Sequence, residues 1–275
     1  MSTLGISPIG SAKTAPRPTV ADIRALKGIR QLSMLYVETL DEAAAAAAAG
    51  IDMLSIIETV WTPEMREASG SCFVQVGILY GQFTNVEDYL RAAYRSMGLG
   101  GDCVYCGASL ATVRSLADEG IPVVGHVGFV PYKATWTGGF KAVGKTAKQA
   151  LAIWHQVVAL EAAGAFGAEI EVVPDRIAAE ITKRTSLVML GMGAGPQTDA
   201  QYLFAEDVLG CTRGRRPRHA KAYRDFRSEL DRLQHERILA FSEFISDVSS
   251  GAYPEPLHVV PISDHEFTEF MNGIG

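Results

Sequence analysis

Two glutamates mark where chemistry belongs in this chain. The stretch "GAEIEVVPD", residues 167–175, has the apolar run of a buried strand but carries Glu169 and Glu171. Side chains alternate along a strand, so both carboxylates share a face, about 6–7 Å apart at ~3.3 Å per residue. A buried carboxylate is costly unless it is paired, protonated or used. Two of them in a low-dielectric site do not both ionise freely, so one pKa is expected to rise. That arrangement suits general acid–base work, with one group kept as an ionised base. Glu58 and His126 also sit near the ends of apolar runs. So does the "GMGAG" turn at 191–195, whose backbone N–H groups could cradle an anion or merely serve a tight turn. Cys103 and Cys106 form a C-x-x-C on a predicted strand, where they face opposite ways, against a zinc or redox pair.

The elements that must position these residues alternate regularly. Apolar strands are expected over 31–37, 52–60, 72–80, 102–108, 121–130, 167–173 and 186–195. Between them lie helical stretches, among them "DEAAAAAAAG" at 41–50, "NVEDYLRAAYRSMGLG" at 85–100, "TAKQALAIWHQVVALEAAG" at 146–164 and "PDRIAAEITKRT" at 174–185. "TDAQYLFAEDVLGC", 198–211, is expected as a helix leading to a short last strand, with a long helix over 219–251 and an irregular tail. About eight such units with doubly buried strands predict a parallel α/β protein, and in one domain a closed (β/α)8 TIM barrel. Residues 1–18 are expected as a loose arm, and 19–275 as the barrel with a C-terminal helical extension. In such a barrel chemistry gathers at the C-terminal ends of the strands, which selects Glu58, Gly77, Gly107, His126, Glu171 and the glycine turn.

Bulk composition narrows the function classes. The chain has 275 residues, is 48% hydrophobic and carries a net charge of −6, against nucleic acid as the main partner. No apolar run nears the ~18 residues of a membrane span. The first 18 residues lack a secretion-signal core, and four cysteines in or beside apolar runs point to reduced thiols, so a cytoplasmic protein is expected.

Several ordered motifs, "GIPVVGHVGFVP", "GGFKAVGK", "ALEAAGAFGAEIEVVP", "LGMGAG…TDAQ" and "RPRHAKAY", together resemble ketopantoate hydroxymethyltransferase (3-methyl-2-oxobutanoate hydroxymethyltransferase). That family lies in the superfamily of phosphoenolpyruvate mutase and isocitrate lyase. The resemblance implies a (β/α)8 barrel, a divalent metal, usually magnesium, holding a 2-oxo acid as its enolate, and attack on the one-carbon unit of methylenetetrahydrofolate. It also implies a large homo-oligomer. Matched residue by residue, Glu171 takes the place of the catalytic base. Glu58 takes that of a metal-binding aspartate, Thr59 that of a serine on the substrate carboxylate, His126 that of the histidine in "GHLG", and Lys141 that of the loop lysine.

Three positions depart from the family pattern. Gly77 stands where the third strand would carry a second metal aspartate; Tyr105 and Gly107 replace a substrate-contacting lysine and a glutamate near the metal, so magnesium held at Glu58 with a 2-oxo acid is expected to bind only weakly. Glu169 stands where the family has an aliphatic residue. With Gln75 and Tyr105 expected to face inward, Glu169 is read as restoring polar function to the substrate site, hydrogen-bonded to one of them or to water. Three readings follow: an enzyme making or breaking a carbon–carbon bond beside a 2-oxo carboxylate, a lyase or hydrolase on an oxo acid without folate or tight metal, and a non-catalytic binding homologue.

Overall fold

The computed structural model describes residues 16–275, so the expected N-terminal arm lies, up to residue 15, outside the described residues. The contacts divide the chain into two compact units, the first ending at Arg224 and the second spanning Asp225–Gly275. In the first, β1 (Leu32–Tyr36), β2 (Met53–Ile57), β3 (Phe73–Ile78), β4 (Cys103–Cys106), β5 (Val123–Gly128), β6 (Gly167–Glu171), β7 (Val188–Met192) and β8 (Ala200–Phe204) pair in parallel and close a barrel in sequence order. Around it run α1 (Val20–Ala25), α2 (Leu40–Ala49), α3 (Pro63–Ala68), α4 (Val86–Gly98), α5 (Leu110–Asp118), α6 (Ala134–Thr137), α7 (Ala147–Ala162), α8 (Asp175–Arg184) and α9 (Ala205–Leu209). The second unit holds α10 (Phe226–Ser250) and α11 (Asp264–Ile274).

The eighth strand corrects the sequence reading. Residues 200–204, expected in a helix, pair with β1 from Leu32↔Ala200 to Tyr36↔Phe204 and with β7 at Leu190↔Ala200. Without them β1 and β7 would expose two rows of unpaired N–H and C=O groups, a tertiary demand that outweighs local propensity. No helix intervenes between β7 and β8. The tail is likewise not irregular: α11 is capped by Ser263, whose hydroxyl accepts from the Glu266 N–H at 3.3 Å. Cys103 packs in the barrel interior and Cys106 in the outer layer, opposite faces as strand alternation requires.

The lower barrel is filled by apolar side chains, including Leu32, Met34, Met53, Phe73, Val124, Phe166 and Val188. Above them the interior turns polar, with Ser55, Gln75, Glu169 and Glu171 all buried. At the lower rim one device recurs three times. An aspartate just ahead of an even-numbered strand accepts the N–H of the second residue of the strand before it. Asp52 takes Ser33 N, Asp102 takes Val74 N and Asp199 takes Met189 N, each at 2.8 Å. Each carboxylate is charge-paired as well, to Arg30 at 2.6 Å, Arg66 at 3.2 Å and Lys27 at 2.6 Å. These pairs fix strand register at the end opposite the polar interior.

Asp199 is the most buried of the three, and its loss strands a buried donor. Asp199→Ala is expected to lower unfolding free energy by about 1–3 kcal/mol, the cost of an unmet buried polar group. Asp199→Asn, which keeps an acceptor for Met189 N, should lose less. Urea denaturation checks this; equal midpoints for Asp199→Ala and the parent chain would refute it.

Candidate active site

A cavity of about 520 Å³ opens at the upper end of the barrel. Its floor and walls include Ser55, Ile57 and Gly77 from β2 and β3, Tyr105 from β4, His126 from β5, Glu169 and Glu171 from β6, Met192 from β7 and Tyr202 from β8. Backbone pairing sets this convergence. His126 lies beside Glu169 and Gly128 beside Glu171, while Glu171 in turn pairs with Met192.

His126 lies between the two carboxylates. Its Nδ1 is 3.5 Å from Glu169 Oε2 and its Nε2 is 3.3 Å from Glu171 Oε2. Nε2 is also 2.8 Å from the Phe129 carbonyl oxygen, which can only accept, so Nε2 carries a hydrogen. Nδ1 meets the Tyr105 hydroxyl at 2.8 Å. Both ring nitrogens are therefore engaged. Burial pulls the His126 pKa down, but the Glu171 hydrogen bond and the charges of both glutamates outweigh it and hold it above the ordinary value.

Glu169 lies deeper than Glu171. Its Oε1 accepts from Gln75 Nε2 at 2.8 Å, and the same amide donates to Ser55 Oγ at 3.2 Å. Burial pushes its carboxyl up to about 7, against the pull of His126 and Gln75. The expected partner Gln75 is found; Tyr105 turns to His126 instead.

Glu171 is 4% exposed, and the backbone around it is tightly tied. Phe129 N donates to its carbonyl at 2.8 Å, and the next residue's N–H donates to Met192 O at 2.9 Å. That next residue, Val172, has φ 49°, a left-handed conformation unfavourable for a β-branched residue. Such strain costs on the order of 1–3 kcal/mol and persists only where the surroundings fix it. Gly128 permits the close approach: a Cβ there would stand 2.5 Å from Glu171 O.

Other sequence-selected residues lie outside this group. Glu58 follows β2 and turns its carboxylate to Arg95 on α4, in a short ion pair. Thr59 and Lys141 are exposed and do not line the cavity; Phe140 does. Gly77 offers no donor, although a side chain would meet only ordinary contacts there. Gly107 is different. A Cβ would stand 2.9 Å from the Tyr105 hydroxyl and 3.0 Å from that of Tyr132, which itself donates to the Gly107 carbonyl. Two tyrosine hydroxyls thus fill the space a longer residue at 107 would need.

One lining residue escapes a reading of the sequence. His219 lies within "RPRHAKAY", part of a basic run with the pattern of a solvated face. Its neighbours Arg216 and Arg218 are indeed exposed, but Pro217 and His219 line the cavity. Only its place beside an otherwise apolar proline distinguishes it.

A family model described as ketopantoate hydroxymethyltransferase matches residues 59–256. A 3-methyl-2-oxobutanoate hydroxymethyltransferase of Thermus thermophilus is 34% identical over 268 residues, covering 88% of this chain and 99% of that protein. The enzyme of the same name from Nitratidesulfovibrio vulgaris (strain DP4) is 30% identical, covering 92% and 88%. Among solved structures, 2,3-dimethylmalate lyase, a PEP mutase/isocitrate lyase superfamily member, overlays with a TM-score of 0.51 at 15% identity, over 71% of this chain and 84% of that one, a likeness of fold.

The raised Glu169 carboxyl makes stability depend on pH. The unfolded chain ionises this group near 4.5 and the folded chain near 7. The folded state therefore binds the extra proton, and its advantage is full below pH 4.5 and lost as pH rises toward 7. His126, also raised, has the same sign. Glu169→Gln keeps an acceptor for Gln75 and removes the titration. Its unfolding midpoint in urea should fall less between about pH 5 and pH 8 than that of the parent chain. An equally steep fall would show that Glu169 does not hold the proton.

Proposed function

Because the chain belongs to the ketopantoate hydroxymethyltransferase family, we propose that its barrel mouth transfers a hydroxymethyl group to the α-carbon beside the oxo group of a small 2-oxo acid. The observation that carries this reading is the Glu169–His126–Glu171 group, buried and facing a cavity of substrate size. Glu171 is the base. It takes the proton from C3, and the electron pair of that C–H bond becomes the enolate. His126 below it, held by Glu169, supplies positive charge against the developing oxyanion. Tyr202, whose hydroxyl oxygen accepts from Ser55, lines the cavity with its own O–H able to donate to the oxo acid. Among the described residues the lining contains neither lysine nor arginine, so a substrate carboxylate would rely on hydroxyls, backbone N–H groups and the two histidines.

The family's divalent metal finds no assembled ligand set among the described residues, although Glu38, Glu42, Glu206 and Asp207 line the cavity together with Glu169 and Glu171. Gly77 and Gly107 bring no side-chain ligand, the space at Gly107 is taken by tyrosine hydroxyls, and Glu58 stands outside the cavity lining with one carboxylate oxygen on Arg95 and the other buried without a partner. Among the described residues no group of three or more His, Cys, Asp or Glu is arranged to hold an ion. Magnesium demands near-octahedral oxygen ligands, usually including carboxylate. No step above therefore runs through a metal.

Methylenetetrahydrofolate is the proposed one-carbon donor, with aromatic walls in its favour: Tyr80 and Tyr132 stack with centroids 3.2 Å apart, beside Phe140. Among the described residues no helix is long and apolar enough to cross a membrane, and a cytoplasmic setting remains our proposal. Self-association is supported by exposed apolar residues along α10, including Leu230, Phe241, Phe244 and Ile245. The missing metal ligands favour a second reading, cleavage of a carbon–carbon bond in an oxo acid without folate.

Incubation of the full chain with a panel of 2-oxo acids in deuterated water, followed by mass spectrometry, tests the first step. Glu171→Gln should slow C3 exchange by about 10²–10⁴-fold, the usual worth of a general base. Full exchange by Glu171→Gln would remove it from the mechanism. Chelator treatment should change the parent chain's exchange by less than about tenfold (one decade is about 1.4 kcal/mol), and Glu58→Ala should act no differently. Exchange that vanishes with chelator and returns with magnesium would refute the metal assignment.

A further inference from the structure

The cavity contains two histidines in opposite situations. His126 has both nitrogens engaged and cannot turn toward a substrate without breaking two contacts. His219 makes no hydrogen bond or ion pair among the described residues, is half-buried, and lines the same cavity. Its ring lies directly on the backbone of Gly193, the middle glycine of the "GMGAG" turn. A Cβ built there would stand 2.8 Å from Nδ1 and 2.9 Å from Cγ. Gly193 follows Met192, the β7 residue whose backbone pairs with Glu171. The glycine, with φ 64°, thus does two jobs: it makes the turn and leaves room for an imidazole next to the strand carrying the base.

We propose that His219 is a further catalytic residue, a relay that carries the proton taken up by Glu171 to the oxygen of the new hydroxymethyl group. This rests on the reading of Glu171 as the base. Written out, Glu171 takes the C3 proton and the C–H pair forms the enolate. The enolate carbon then bonds to the carbon of formaldehyde, which methylenetetrahydrofolate and one water yield together with tetrahydrofolate, and the π pair of its C=O group moves to its oxygen. The alkoxide takes the N–H proton of His219, while the other ring nitrogen takes the proton from Glu171. The carboxylate is regenerated and no net proton is gained or lost. In reverse the same relay serves carbon–carbon cleavage, since His219 then removes the hydroxyl proton and Glu171 returns one to carbon.

The surroundings keep His219 suited to this. Glu171 from β6, Asp207 from α9 and Arg218 in its own loop are the charged groups that act on it. Burial outweighs the two carboxylates and holds its pKa below the ordinary histidine value, so the neutral, proton-accepting form persists below pH 6.5. An imidazole needs to be neutral to accept and pass on a proton in one motion.

The test separates the relay from the base. C3 exchange in deuterated water reports Glu171, whereas carbon–carbon bond formation with a formaldehyde-level donor reports both groups. His219→Gln is expected to lower turnover by about 10²–10⁴-fold. Exchange should fall by less than about a tenth of that factor. The acid limb of turnover should become shallower as one titrating group is lost. His219→Ala, should the glutamine variant fold poorly, is expected to regain turnover with added imidazole. Turnover and acid limb unchanged in either folded variant would overturn the proposal. No C3 exchange by the parent chain on any 2-oxo acid would instead refute the reading of Glu171 on which the relay stands.

Discussion

Everything at the upper end of this barrel answers to one electrostatic problem, two carboxylates on one face of β6 with their side chains out of water. Glu169 and Glu171 are 6% and 4% exposed. Desolvation disfavours each charge, and each charge disfavours the other. The fold resolves the conflict by inserting His126 from the neighbouring strand, one nitrogen toward each carboxylate. The deeper carboxyl moves up to about 7 and the imidazole moves up with it, so the group shares protons rather than charges outright. The Gln75 amide and the Phe129 carbonyl then fix which atoms face which.

That polar group is tolerable because the rest of the barrel takes no part in it. The lower interior is apolar, and register is held at the opposite rim by Asp52, Asp102 and Asp199. Stability and chemistry are thereby placed at different ends of the same strands, as barrel architecture generally allows. Among the described residues left-handed backbone at a non-glycine position falls at Val172, immediately after the proposed base, and the ties at Phe129 and Met192 hold it in place.

The fold was largely legible because strand and helix periods differ and alternate. The shared face of Glu169 and Glu171 followed from strand alternation alone, and so did the opposite faces of Cys103 and Cys106. Less legible was whatever depended on a distant partner. Residues 200–204 read as helix, because only β1 and β7 make them a strand. Glu58 read as a cavity carboxylate, because its sequence says nothing of Arg95, far along the chain on another helix. His219 was hidden for a related reason. Its neighbours include exposed cations, and the room for its ring is left by Gly193, remote in sequence.

The substitutions at the mouth make sense only as a set. Removing a side chain at Gly77 alone would leave a gap, since a Cβ there meets only ordinary contacts. At Gly107 the room is instead occupied by the Tyr105 and Tyr132 hydroxyls, and Tyr105 reaches on to His126. A divalent ion would bring two positive charges to such a site; here a single histidine meets two carboxylates, one of which is raised toward neutrality. The charge required of the cation is smaller because the charge of the ligands is smaller. A buried imidazolium can balance one carboxylate while a protonated neighbour needs no balancing. On this account the rise in the Glu169 pKa spares the histidine from facing two full negative charges.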